Sequence, residues 1–406
     1  MVTGSVNRSS SITISNSPYT VPNGINKVNV DTTGGNVRIN LPSTNSEIQI
    51  AKTSSDSYIV TLWVAGTQIG EVAGELSSVT VESGQITKDE PWYPYDAIVG
   101  IAGVSGDGGE VLAKDRYGRV IARGVAGAND AATINAVTGN MFVRDDIHPE
   151  GVINVVGSIE FNHKSTIYPI ADGYNIFYMK PGGKLINPRV DCRGISFTKS
   201  VFFFDGKERF GEYSNTEIKR ASAWGDLTGT CLLLESDEAV IGSIYGVYVE
   251  LYINKFEYGC RFRTTGTFSQ NYINGNKLRI SGAHCVNFIT QLPEGDAAMA
   301  GNSFFVDFSW GPSTLTGITI EGSYNKVYPN GLIWDVPTWG TALRFGPLGK
   351  NNFAICPTIG TRVIDLGTDN IVLGIGDTLS TLVTYDGDIV VHNGDVVSNG
   401  YTKWFR

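Results

Sequence analysis

The chain has 406 residues, 41% of them hydrophobic, with 49 glycines and a charged fraction of only 17%. That is material for more than one packed unit, and its Thr, Ser, Asn, Val and Ile suit short strands joined by turns, because β-branched side chains fill a pleated surface while Gly and Asn accept turn dihedrals. A net charge of −9 without a basic stripe argues against a nucleic-acid partner. The longest apolar stretch, Ala239–Ile253, holds Glu250 and two glycines, which argues against membrane insertion.

Residues 1–16 are polar and Ser-rich and read as a flexible arm with no export signal. Residues 17–83 read as a small N-terminal β module. Val28 and Val30 alternate with polar residues, as do Val37, Ile39 and Leu41, then Ile48 and Ile50. Ile59–Val64 and the pair Val79 and Val81 follow, with turns at Thr33–Asn36, Pro42, Gly66 and Gly74. Period-two alternation between such turns predicts half-buried antiparallel strands in a sandwich-like module. Residues 84–126 read as linker and neck, because the prolines of Pro91-Trp92-Tyr93-Pro94-Tyr95 disfavour regular structure. Gly100–Gly109 is Gly-rich, but it lacks the Gly-Lys-Ser/Thr ending of a phosphate loop. Gly127–Val137 is the clearest helix, with Asn129 or Asp130 as its cap and Ile134 and Val137 on one apolar face.

Residues 127–376 read as this helix followed by strands and turns, irregular at first and settling in the second half of the chain into a loose repeat of about 25 residues. Asn276, Asn302, Asn325 and Asn352 each open a pass, at steps of 26, 23 and 27. Second strands lie between them: Gly259–Phe262, His284–Phe288, Gly317–Ile320, Ala342–Phe345 and Arg362–Leu366. A strand-rich period of this size predicts stacked coils. Asp205–Lys219 reads as a charged surface loop. Residues 377–406 read as a closing β cap, with Asp386-Gly387-Asp388 and Asn393-Gly394-Asp395 as hairpin turns.

The five cysteines form no C-x-x-C pair, and the four histidines are scattered. No metal or cofactor is expected. Cys260 and Cys285, 25 residues apart, read as stacked core side chains rather than a disulfide. Trp310, Tyr324, Tyr328, Trp334 and Trp339 crowd into 30 positions near turns, and flat rings there offer stacking faces for sugars. The alternative is that these rings pack between coils or subunits. In Phe202-Phe203-Phe204 at least one ring must face outward. Glycan hydrolysis would instead need two carboxylates at a set separation. Asp307, Glu321, Asp335 and Asp365 have outward potential, and Asp307 and Asp335, one coil apart, are the pair that could stack.

Two segments carry a family resemblance. Ser17-Pro18-Tyr19-Thr20-Val21 followed by Val28–Pro42 resembles a module of phage tail fibres and other minor virion proteins: a Y-T-V strand, then a V-D-T-[ST]-x-G-x-V-x-[IV]-x-L-P hairpin. Gly127–Val137 resembles the entrance helix of phage tailspikes, D-D-T-x-A-I-x-x-A-I, with Ala131-Ala132 where the second Asp and Thr usually stand. The resemblance implies an all-β fold: a pectin-lyase-like right-handed parallel β-helix behind the N-terminal module, its open end plugged by the short helix. It also implies a homotrimer on the virion surface, docked through its N-terminal region to other virion proteins and attaching the particle to a host glycan or glycoprotein. The alternatives are a tailspike-type polysaccharide depolymerase and a purely structural virion component.

Overall fold

The computed structural model describes residues 11–15, 17–22, 25, 27–41, 48–52, 60–72, 78–82, 85–87, 95–102, 109–115, 120–207, 213–236, 243–264, 272–293, 299–337, 340–356, 362–374, 380–385, 388–393, 396–398 and 401–403. Within them the chain is all-β apart from one short helix, Asp130–Asn135, and it divides into two compact units, Met1–His148 and Pro149–Arg406.

The first unit departs from the antiparallel expectation. Ser11–Ile14, Lys27–Val30 and Ile48–Lys52 pair in parallel, as do Tyr19–Thr20, Val37–Leu41 and Val60–Val64. Antiparallel pairing enters only afterwards, where Ser78–Glu82 joins Ile48–Lys52 and Thr67–Val72 joins Val60–Val64. Val28–Pro42 is therefore no hairpin. The turn after Val30 carries the chain from one sheet to the other, with Asp31 Oδ1 accepting the Thr33 amide at 3.0 Å. Val28 and Val30 from one sheet then meet Val37, Ile39 and Leu41 from the other in one apolar core. Ser11–Ile14, read as part of the arm, is a strand of this core. Alternation reports which face is buried, not the direction of the neighbouring strand, and so could not separate the two pairings.

Residues read as linker and neck hold three antiparallel strands, Ala97–Ala102, Glu110–Asp115 and Val120–Val125; the Pro91–Pro94 run lies outside the described residues. The helix is shorter than expected and packs on these strands, with Ile134 and Val137 buried. Asn129 is its N-cap residue but makes no capping bond. Its Oδ1 instead accepts the Val125 amide, while Asp130 accepts those of Gly127 and His148.

In the second unit the chain alternates between two long parallel sheets. One takes Ser158–Phe161, Lys184–Ile186, Glu217–Trp224, Tyr248–Asn254, Lys277–Ala283, Ser303–Ser309, Lys326–Asp335, Phe353–Cys356 and Ile371–Gly374. The other takes the intervening strands from Ile153–Val155 to Ser380–Tyr385. In strands such as Ser303–Ser309 buried and partly exposed side chains alternate: Phe304, Val306 and Phe308 point in, while Phe305 and Asp307 point out. Rings stack inside, Phe177 on Phe202 at 5.6 Å and Phe288 on Phe308 at 5.3 Å. At the end the parallel stacks meet antiparallel strands, Ser380–Tyr385 with Asp388–Asn393 and Ile371–Gly374 with Val396–Ser398. Ser380–Tyr385 and Asp388–Asn393 thus pair as consecutive strands, whereas Val396–Ser398 belongs to the other sheet; the expected Asp386-Gly387 and Gly394-Asp395 turn positions lie outside the described residues.

The repeating asparagines are buried and bonded in one column. Asn276 donates Nδ2 to Asn302 Oδ1 at 3.0 Å, Asn302 to Asn325 at 3.1 Å, Asn325 to Asn352 at 3.1 Å and Asn352 to Asn370 at 2.9 Å. Each of these oxygens also accepts the backbone amide of the preceding asparagine, and each Nδ2 also reaches a backbone carbonyl. The column ends on a carboxylate, with Asn370 Nδ2 donating to Asp365 Oδ1 at 2.9 Å. In the same pass positions the residue before each asparagine is left-handed: Gly275, Gly301, Tyr324, Asn351 and Asp369. Glycine, asparagine and aspartate tolerate that conformation; tyrosine does so at a cost.

Other placements refine the reading. All five cysteines are free and buried, and burial pushes their thiols up, to about 12 for Cys192, Cys285 and Cys356. Cys260 lies between Leu232 and Ile289 rather than on Cys285. In the Asp205–Lys219 excursion Tyr213 is wholly buried, and its hydroxyl lies 2.9 Å from the Asp205 carbonyl and 3.2 Å from that of Met179, with one proton to share between them, so this segment is partly core. Phe202 and Phe204 point inward, and Phe203 rests outside on Tyr178 at 5.4 Å.

Candidate functional site

The outer face of the first long sheet carries a set of partly exposed rings. Strand register aligns outward side chains of successive passes. One row runs Lys184, Glu217, Tyr248, Lys277, Ser303, Lys326 and Phe353, and the next contains Glu250, Arg279, Phe305 and Tyr328. Phe305 stacks on Tyr328 at 5.2 Å with 24° between planes, and Tyr328 leans on Phe353 at 6.0 Å. Farther along the same face Tyr252, 39% exposed, tilts against Trp224 at 6.2 Å, and the Arg189 guanidinium lies 5.1 Å from the Trp224 ring. Cations sit beside the other rings too: Lys277 Nζ is 5.5 Å from the Phe305 centroid and 6.0 Å from that of Tyr248.

A bulge gives this face its polar relief. Val306 pairs with Pro329 and Phe308 with Trp334, so Asp307 faces a bowed segment. Asp307 Oδ1 accepts the Gly331 amide at 2.7 Å. Asn330 reaches back over the intervening strand, accepting from Arg279 Nε at 2.7 Å and donating to Ser281 Oγ at 3.2 Å. Aromatic faces next to fixed amide, guanidinium and carboxylate groups suit a ligand with both C–H faces and hydroxyls.

Of the expected ring platform, Tyr328 lies in this row. Tyr324, 60% exposed, stands at its edge in the left-handed turn before Asn325. Trp310 is half-buried, with its ring over Gly340 and 6.4 Å from Phe308. Trp334 leaves the set: it is 6% exposed, packs on Phe308 at 5.5 Å and donates Nε1 to the Val306 carbonyl. The bulge reverses the face that a simple count along the strand gives it. Trp339 lies outside the described residues.

The acids are also rearranged. Asp335 pairs in register with Ser309, so it sits diagonal to Asp307 on the same face rather than stacked on it. Asp365 is buried, not outward, and burial raises its carboxyl above the ordinary value. Glu321 is half-buried over Gly346, where any side chain would collide with its carboxylate; burial raises it too, against the Leu348 amide. Among the described residues no group of three or more His, Cys, Asp or Glu side chains could hold a metal ion.

Clustering along the sequence missed Trp224, Tyr248, Tyr252, Phe305 and Phe353. A usable signal was present: Arg279, Phe305, Tyr328 and Ile355 each stand three residues after a column asparagine, and Lys277, Ser303, Lys326 and Phe353 one residue after.

No family model matches the chain, and no curated protein matches it. Two solved structures are weakly similar, both of sacteLam55A from Streptomyces sp. SirexAA-E. One is 10% identical over 95% of this chain and 71% of that chain, with a TM-score of 0.26. The other, a variant in complex with glucose, is 12% identical over 96% and 73%, again with a TM-score of 0.26. Likeness at that level says nothing about the activity of this chain.

Proposed function

We propose that this chain is a viral surface spike or fibre that attaches the particle to a host-surface glycan or glycoprotein. Its second unit is a right-handed parallel β-helix, and the outer face of the first long sheet is the contact surface. The alternation of passes between two parallel sheets supports the β-helix. The resemblance of residues 17–42 and 127–137 to virion proteins supports the setting, with the N-terminal unit docked on other virion proteins and the spike a homotrimer.

The observation that carries the contact surface is the set of rings on one outer sheet face, Phe305 in register with Tyr328 and Trp224 diagonal to Tyr252, flanked by hydrogen-bonding side chains. Sugar rings stack on such faces, and the neighbouring polar groups orient them. The asparagine column behind the row holds successive strands in fixed register, so the platform is preorganised and little ordering entropy is lost on binding. Repetition of weak contacts over several copies supplies avidity.

The test is attachment. Particles lacking the chain are expected to assemble and fail to adsorb, and added chain carrying Tyr328→Ala or Tyr252→Ala is expected to compete for adsorption less well than the unaltered chain. Failure of particles to assemble at all would favour a structural component instead. Sedimentation of the purified chain as anything other than three copies would remove the trimer.

A further inference from the structure

The charge of the ring-bearing face runs against that of the molecule. The chain carries −9 overall, yet across the two outward rows that hold Tyr248, Phe305 and Tyr328 the cations Lys184, Lys277, Lys326 and Arg279 outnumber the acids Glu217 and Glu250. Lys184 and Lys219 share Glu217, at 3.7 and 2.7 Å. Lys277, Arg279 and Lys326 have no carboxylate within salt-bridge distance among the described residues. Glu250, the acid beside Arg279 in register, makes no ion pair with it. Arg279 spends Nε on the neutral Asn330 carbonyl, leaving the rest of its fork for another acceptor.

These cations are also placed in a pattern. Lys277 and Arg279 are two residues apart on one strand and project from the same face. Lys277 and Lys326 are separated by one intervening strand in register, which sets them on the order of 10 Å apart. Phe305, against which Lys277 leans, lies between Arg279 and Tyr328. Cations that make no salt bridge therefore flank ring faces across the two rows. A neutral sugar chain would use the rings alone. A chain carrying an anionic group on some of its sugars would use both.

Resting on the glycan reading above, we propose that the ligand is an acidic polysaccharide, its carboxylate or sulfate groups held by Lys277, Arg279 and Lys326 while its sugar rings stack on Phe305 and Tyr328. Arg279 offers a planar fork suited to either oxyanion, and the two lysines act as point charges.

The experiment is equilibrium binding of the full chain to four probes: polygalacturonate, carboxyl-reduced polygalacturonate, dextran sulfate and dextran. Lys277→Gln with Lys326→Gln, Arg279→Gln, Phe305→Ala and Tyr328→Ala are compared with the unaltered chain, all checked for unchanged thermal unfolding. These side chains point outward, so the fold is expected to survive. At least one acidic probe is expected to bind, and its uncharged counterpart at least about tenfold more weakly. Loss of the two lysines, of Arg279 or of either ring is expected to weaken acidic binding by about tenfold, and added salt to weaken it further. Preference for polygalacturonate over dextran sulfate identifies a uronate, and the reverse a sulfate. Equal binding of neutral probes, insensitive to the lysine and arginine changes but lost in Tyr328→Ala, overturns the acidic ligand and leaves the glycan reading intact. Acidic binding indifferent to Phe305→Ala and Tyr328→Ala is mere ion exchange and overturns both readings, as does binding to none of the four probes. Tighter binding to single-stranded oligo(dT) than to every probe overturns both as well.

Discussion

Replacing Asn302 with alanine tests whether the asparagine column holds the second unit together. The Asn302 side chain makes four bonds: Oδ1 accepts from the amide and from Nδ2 of Asn276, and Nδ2 donates to the Ile273 carbonyl and to Asn325 Oδ1. Asn276 Nδ2 keeps its bond to the Ile244 carbonyl, and Asn325 Oδ1 keeps the Asn302 amide. The Asn276 amide keeps nothing, and both asparagines are almost wholly buried. A net hydrogen bond is worth about 1 kcal/mol and a stranded buried group costs about 1–3 kcal/mol, so a loss of about 3–5 kcal/mol follows. Ser303→Ala, one residue on and half-buried, should change stability by less than about 0.5 kcal/mol. Urea unfolding of both variants gives the difference. Hydrogen exchange of the Asn276 amide reports the site directly, with protection expected to fall in Asn302→Ala and hold in Ser303→Ala. A loss below about 1 kcal/mol with unchanged exchange would refute the column as a stabilising element.

Tyr324→Asn should stabilise the chain by about 1 kcal/mol, because asparagine accepts the left-handed turn that tyrosine resists; a lower urea midpoint would contradict this, and a simultaneous fall in adsorption would show what the strained ring is kept for. Trp334→Phe should cost about 1 kcal/mol through the lost bond to Val306 and leave glycan binding unchanged, since that ring is core. For Asp365 the folded carboxyl is raised by burial above its ordinary value of 3.8. Below that value both folded and unfolded chains hold the proton; as pH rises through the raised folded value, the unfolded chain has already released it and stability falls. Asp365→Asn keeps an acceptor for Asn370 and Gly367 and carries no charge, so its melting-temperature advantage over the unaltered chain should grow from acid to neutral pH, and a constant difference would contradict the assignment. The five buried thiols should resist Ellman's reagent in the folded chain and all react in urea.

The stacked parallel passes could be read from the sequence because Asn276, Asn302, Asn325 and Asn352 recur at nearly even steps. Asn370 escaped because its step from Asn352 is only 18 residues, and the carboxylate ending the column could not be named without it. The parallel start of the N-terminal unit was hidden because parallel and antiparallel strands share period two. The ring-bearing face was hidden for another reason. Its members lie many residues apart along the chain and become neighbours only through the stacking of strands, whereas of the crowded rings only Tyr328 joins the face among the described residues, with Trp334 in the core and Tyr324 in a turn. Trp334 was misplaced by the bulge, which no alternation count can see.

The asparagine column also separates what is fixed in this unit from what can vary. Each amide is indexed to the next asparagine, yet the chain between two of them ranges from 18 to 27 residues. The length of an excursion is thus free while the meeting point is not. Insertions and deletions between passes are absorbed in the corners without sliding one strand past its neighbour, and growth or loss of a whole pass leaves every remaining contact in step. A lineage of such chains can change its outline and its surface quickly while keeping one interior.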